Sequence, residues 1–258
     1  MATKAKPTET YSIPQLQRST AEFFILGESG LYFNSMAAKA MRDLLAPTKK
    51  ATVSERSMRP KHQPRIEFES SVYRITHQKS PTMLGFPASG FKGAMATAAL
   101  ATAGINKTDV QKHLYVKGEL IPIFGDPFLR MDVVRSADMN KTPDVRTRAF
   151  MPEWAARVTI SFTMPNFTAE GVANLLSNAG QIAGIGDFRQ EKGRGNFGRW
   201  KLTGQTDKEY VRITELYNSK TQEDAIKAAR PWDDMTDELL QYWDEQYESR
   251  GFDQIAAE

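Results

Sequence analysis

Residues 155–164 (AARVTISFTM) alternate with a period of two: Val158, Ile160 and Phe162 fall on one side, Arg157, Thr159 and Ser161 on the other. A strand sends successive side chains to opposite faces, so this run reads as a strand with one face on the core. Residues 165–168 (PNFT) then end the strand and supply capping side chains. Val172, Leu175 and Leu176 follow at the three-to-four spacing of an amphipathic helix. A strand leading through a cap into a helix is therefore predicted here.

Working outward, residues 21–27 (AEFFILG) read as a first strand, and Asn34-Ser35 can cap a short helix over 36–45 that Pro47 closes. Residues 66–69 (IEFE) and 72–75 (VYRI) alternate like strands. A small-residue helix is expected over 94–104, with Ser89 or Gly90 near its start and Gly104 at its end. Strand-like runs recur within 112–124 and 129–135, and a last strand is predicted over 210–217, followed by helices near 221–230 and 235–248. Strands and helices mix without strict alternation, which favours an α+β fold over a doubly wound parallel sheet. The expected organisation is a mobile polar arm over 1–20, a core over 21–217 and a helical C-terminal segment over 218–258. Long insertions are expected near 47–65 and 136–150.

Composition narrows the chemistry. Hydrophobic residues make up 40% and charged residues 25% of the 258, enough apolar material for a core, so wholesale disorder is excluded. The absence of cysteine removes thiolate nucleophiles, disulfides and every cysteine-based metal site. His62, His77 and His113 share no metal-ligand spacing, so neither a metal nor a cofactor is expected. No run approaches the roughly 18 apolar residues of a membrane span, and the first residues lack a signal-peptide core, so a cytoplasmic protein without a membrane partner is expected.

The net charge of +3 hides an asymmetry. From Asp233 to Glu258 there are nine acidic residues and one base, Arg250, leaving a net of +11 over 1–232. A basic body attracts polyanions, and an acidic tail either competes for the same surface, docks on a neighbouring copy, or is a solvated helix that aids solubility. Segment 47–65 alone holds Lys49, Lys50, Arg56, Arg59, Lys61 and Arg65 against the single acid Glu55. Its three prolines and lack of apolar period make it a long basic loop suited to a polyanion.

Two glycine patterns invite nucleotide readings and fail. After Gly85 and Gly90 comes Phe91, so the phosphate lysine of a P-loop is displaced and no hydroxyl follows it; Gly184-x-Gly186 lacks the third glycine and follows a helix. Residues 184–200 (GIGDFRQEKGRGNFGRW) instead interleave glycines with Arg189, Lys192, Arg194 and Arg199 and with Phe188, Phe197 and Trp200. Glycine lets backbone approach phosphate, arginine pairs with phosphate oxygens and aromatic rings stack on bases, which is single-strand-binding chemistry. The other reading is a flexible hairpin whose aromatics belong to the core.

The stretch 184–200 resembles the C-terminal glycine-rich loop of the RAMP superfamily, which includes the Cas7-like backbone subunits of CRISPR effector complexes. Residues 86–99 (FPASGFKGAMATAA) resemble that superfamily's N-terminal segment: Ser89, Lys92 and Gly93 match, Ala88 replaces a usual glycine, and Ala96 or Thr97 stands near a usual arginine. Arg146 and Arg148 lie between the two motifs. The resemblance implies a modified ferredoxin-like (RRM-like) core with large loop insertions, copies of which assemble side by side in a helical filament on single-stranded RNA of the crRNA kind, alongside other effector subunits. The residues expected to hold the strand are Lys49, Lys50, Arg56, Arg59 and Lys61 of the basic loop; Ser89 and Lys92; Arg146 and Arg148; and Gly186, Arg189, Lys192, Arg194, Phe197 and Arg199. No catalytic residue is expected, though some Cas7-like subunits cleave RNA through an N-terminal aspartate and a metal, a role Asp43 would fill here. A phage protein that coats or anneals single-stranded DNA is the remaining alternative.

Overall fold

The computed structural model describes residues 15–36, 41, 45, 62–76, 79–135, 142–192 and 195–250, with the backbone alone at 192. Asp43, Lys49, Lys50, Arg56, Arg59, Lys61 and Arg194, and most of the helix expected over 36–45, lie outside the described residues.

The strand read first sits in the middle of the molecule. β9 (Trp154–Met164) pairs antiparallel along its whole length with β1 (Gln17–Gly27), from Gln17↔Met164 to Leu26↔Ala155. β1 also pairs with β10 (Trp200–Thr203), a short strand the sequence did not suggest. On its other edge β9 has two successive neighbours, β5 (Leu114–Val116) and β6 (Leu120–Gly125). Between them the chain turns at Gly118 (φ +97°), and β6 swings away to pair with β4 (Leu84–Pro87), which pairs in turn with β3 (Tyr73–Arg74). The result is a curled seven-stranded antiparallel sheet. A second sheet joins β2 (Leu31–Tyr32), β8 (Pro143–Met151) and β7 (Phe128–Arg135), the last two forming a long hairpin across Phe128↔Phe150 to Arg135↔Pro143.

Helices α2 (Ala88–Ala99) and α4 (Ala169–Ile182) pack against one another over one face of the large sheet. Phe91, Met95 and Ala98 of α2 and Val172, Leu176 and Ala179 of α4 are buried there with Ile25, Val158, Ile160 and Trp200. Each buried Val, Leu, Ile, Met or Phe side chain contributes about 1.5–3 kcal/mol relative to exposure. Thr168 caps α4 by accepting from the Gly171 amide at 3.1 Å, as its position at the strand's end requires. α3 (Lys107–His113) opens with a capping box between Asn106 and Asp109 and delivers the chain to β5.

Two expected strands are helices. Residues 66–69 lie in α1 (Pro64–Ser70), where Pro64 stands in the first turn and Phe68 alone of the apolar pair is buried; Ile66 is exposed. Residues 210–217 lie in α5 (Lys208–Leu216), started by the Asp207 carboxylate, which accepts from the Glu209 and Tyr210 amides. Tyr210 and Ile213 of α5 cover the far face of the large sheet against Leu26 and Ala155. The small-residue helix starts at Ala88, earlier than expected, and β1 already begins at Gln17, inside the segment expected as an arm.

The acidic C-terminal segment is folded onto the body. α6 (Ser219–Ala228) buries Gln222, whose amide accepts from the Leu84 N–H at 2.9 Å and donates to the Ile123 and Gly125 carbonyls at 2.8 and 3.1 Å. That one side chain satisfies the backbone groups left open where β4 and β6 diverge. α7 (Asp234–Ser249) buries Leu240, donates from the Trp243 indole to the His62 carbonyl at 3.0 Å, and holds Arg65 through both oxygens of Asp244 at 2.6 and 2.8 Å.

Candidate nucleic-acid interface

The start of α2 is brought to the surface by β4, whose last residue, Pro87, precedes the helix directly. The Ala88 amide is held by the Glu119 carbonyl at 2.9 Å. Phe91 and Met95 turn into the core, which leaves Ser89, Lys92, Gly93 and Thr97 along the outer side. Opposite them runs the loop from Gly184 to Glu191. Together they line a groove of about 700 Å³, to which Asn34, Lys107 and Gln111 also contribute. The two motifs, distant in sequence, are thus the two walls of one groove.

The loop's path is set by backbone contacts. A Cβ on Gly198 (φ +69°) would run into the Ile185 carbonyl, and one on Gly186 (φ +84°) into the Tyr32 carbonyl. Glycine is needed there because the chain lies against itself, not to admit a phosphate as the sequence reading supposed. The Ile185 amide donates to the Gly198 carbonyl at 3.0 Å and the Gly198 amide to the Gly30 carbonyl at 2.8 Å, so the loop is tied to the turn between β1 and β2.

Beneath the loop sits Arg148 of β8, expected as a phosphate ligand but buried, with its side chain 3% exposed. It donates to Asp187 at 2.6 Å and to Asp132 of β7 at 3.2 Å. Its guanidinium lies 4.3 Å from the centre of the Phe188 ring and 5.0 Å from that of Tyr32. Asp187 also accepts from the Asn34 amide at 3.1 Å, and Tyr32 donates to Asp132 at 3.2 Å. Burial, then the neighbouring Asp132 carboxylate, pushes the Tyr32 hydroxyl well above its ordinary range, so it stays a donor. Arg148 therefore fastens the glycine-rich loop to both strands of the β7–β8 hairpin instead of facing a ligand.

The remaining expected residues divide. Ser89, Lys92, Gly186 and Arg189 line the groove. Arg146 is exposed and lines an adjoining groove of about 530 Å³, which shares Asn34 with the first; His62 stands there between Glu67 and Asp144, 3.1 Å from each. Phe197 is not free to stack on a base: its ring packs edge-on against Tyr32 and Phe150, with centres 4.9 and 5.8 Å away, and Arg130 sits over it. Arg199 lines neither groove and pairs loosely with Glu28 at 3.7 Å. Sequence reasoning missed Lys107, Asn34, Thr97 and Glu191. Only Lys107 carried a signal, as a base at the start of a capped helix.

Lys92 donates to the Gln111 carbonyl at 3.0 Å, and neither it nor Lys107 meets a carboxylate among the described residues. With Asp187 neutralised from below by Arg148, the helix side of the groove offers the cationic donors Lys92 and Lys107 to an anionic chain, while Arg189 on the loop side is paired with Glu191 at 2.9 Å.

The architecture is α+β, a curled antiparallel sheet with helices over it. Among solved structures it is similar to that of Cmr6 from Pyrococcus furiosus, at 10% sequence identity and a TM-score of 0.37, over 72% of this chain and 98% of that one. No family model matches the chain. No curated protein matches it. Among the described residues no helix is long and apolar enough to cross a membrane.

Proposed function

We propose that the protein is a non-catalytic, Cas7-like subunit that binds single-stranded nucleic acid, RNA in the first instance, and assembles in side-by-side copies along it. The observation that carries this reading is the convergence of residues 86–99 and 184–191 on one groove bearing Lys92, Lys107 and Arg189.

The topology supports a modified ferredoxin-like core. Taking the β5–β6 edge as one strand, the order β1, α2, β5–β6, β9, α4, β10 is β-α-β-β-α-β, and the sheet order is β10-β1-β9 followed by that edge. On this reading the β7–β8 hairpin is an insertion, as is the segment around 47–65. Copies of the same chain and other effector subunits are the protein partners, and the cytoplasm is the place of action.

Gel shifts with single-stranded RNA and DNA of matched sequence, joined to sequencing of the nucleic acid that co-purifies, test the proposal. Preferential shift of RNA with stepwise larger complexes is the expected result. No shift of either strand at low salt overturns it, and a preference for DNA moves the protein to a strand-coating or annealing role.

A further inference from the structure

Three hydrogen bonds cross or brace the groove at one place. Thr97 of α2 donates its hydroxyl to Glu191 Oε1 at 3.1 Å. Arg189 donates Nε–H to the other oxygen, Oε2, at 2.9 Å, and a further N–H to the Gly186 carbonyl at 2.9 Å. The Glu191 carboxylate thus bridges the two walls, one oxygen on the helix and one on the loop. The geometry points to a phosphate subsite in which Glu191 stands in for the anion until a ligand phosphate displaces it.

The chemistry matches feature by feature. A phosphodiester offers two non-bridging oxygens sharing one negative charge, as a carboxylate does, and the hydroxyl and guanidinium that hold Glu191 are the donor types that hold phosphate. Arg189 is held by its Gly186 contact whichever anion is present, so its fork is already aimed. Lys92 and Lys107 line the same groove without a carboxylate partner among the described residues, and Asp187 is neutralised by Arg148. Swinging Glu191 out releases Arg189 into a groove that Lys92 and Lys107 also line. The side chains of Arg189 and Glu191 are 28% and 30% exposed, so the pair is open enough to exchange partners. This inference deepens the proposed function and rests on it for the identity of the ligand, a phosphate in a single strand; the subsite itself would equally take a free polyphosphate.

Two probes separate these sources: a labelled 30-nucleotide oligouridylate followed by fluorescence anisotropy, and tripolyphosphate followed by calorimetry, both on the full chain. Glu191→Gln and Glu191→Ala are each expected to bind on the order of three- to tenfold more tightly than the unaltered protein at low salt. In an Arg189→Gln background that gain is expected to vanish, because the competition is for Arg189. Two independent substitutions guard against one that misfolds. Unchanged or weaker binding by both Glu191 variants overturns the subsite, as does a gain that persists without Arg189. Tighter tripolyphosphate binding with no oligouridylate binding keeps the subsite and removes the strand-binding function. Equal oligouridylate binding with and without Glu191 does the reverse. Failure of both probes to bind any form of the protein overturns both.

Discussion

Arg148 and Asp187 meet at 2.6 Å across 39 positions of sequence, joining the β7–β8 hairpin to the glycine-rich loop beneath the groove. Because Asp132 completes the arrangement from β7, removing the arginine takes the shared cation from two carboxylates, leaving Asp132 with Arg130 and Tyr32 and Asp187 with Asn34. Arg148→Met is expected to cost about 2–4 kcal/mol of unfolding free energy, below the roughly 3–5 kcal/mol for breaking a fully buried pair because the Asp187 side chain is 32% exposed. Urea denaturation measures it. A loss below about 0.5 kcal/mol would mean that the pair does not fasten the loop.

Salt dependence reads the groove's electrostatics directly. On single strands the logarithm of affinity falls by roughly 0.7 per decade of salt for each phosphate neutralised. Lys92→Ala and Lys107→Ala are each expected to reduce that slope by about one such step while leaving thermal stability unchanged, since both side chains stand outside the core. A salt titration by anisotropy settles the point, and slopes identical to the unaltered protein's would move the phosphate contacts elsewhere.

The cluster of Glu153, Arg212 and Tyr217 contributes to stability at both ends of the pH range. Tyr217 donates to Glu153 at 2.7 Å, and its hydroxyl is pushed up to about 12 by burial first and by the carboxylate second. Its folded value lies above the ordinary 10, so its contribution is complete below pH 10 and disappears as pH rises towards 12. Glu153 is held below the usual range, chiefly by its hydrogen bond from Arg212, so its contribution is present above the ordinary carboxylate range and is lost on acidification through the folded value. Tyr217→Phe should flatten the alkaline limb of a melting-temperature profile and weaken the acid limb only in part, since Arg212 remains the main donor to Glu153. An unchanged alkaline limb would exclude the coupling.

Leu240 is 5% exposed and anchors α7, so Leu240→Ala is expected to cost about 2–4 kcal/mol. Cutting the chain after Arg230 removes more: the Trp232 amide bond to the Leu129 carbonyl, the Thr236 hydroxyl beside the Met131 amide, and the Asp244–Arg65 pair. The truncated protein should melt earlier and, freed of the acids of α7, bind a single strand more tightly at low salt. Full-length behaviour in both gel shift and sedimentation would discard any part for this helix in binding or assembly.

Much of the architecture was legible because its signals are local. The period of two in β9, the Thr168 cap and the helical spacing of Val172, Leu175 and Leu176 all survive in the structure. Residues 66–69 misled because four alternating residues fit a strand and one helical turn equally, and Pro64 settles the choice only once it is taken as a first-turn residue. Residues 210–217 are rich in strand formers, yet Asp207 and the spacing of Tyr210, Ile213 and Tyr217 already favoured a helix. At the site the limit was different in kind. Nothing in the run Arg146-Thr147-Arg148 tells which arginine faces inward, since Asp132 and Asp187 reach Arg148 only through tertiary structure. Likewise Glu191 reads as one acid among bases until Thr97 is seen across the groove.

The glycine-rich loop separates its course from its display. Contacts between main-chain carbonyls and Gly186 and Gly198 fix where the chain runs, while the charged ends of Arg189 and Glu191 are displayed in the groove. Such a scaffold tolerates rewriting of its outward residues without relearning how to fold. Selection, or an engineer, can therefore retune what the groove accepts by editing a handful of letters between two anchored glycines.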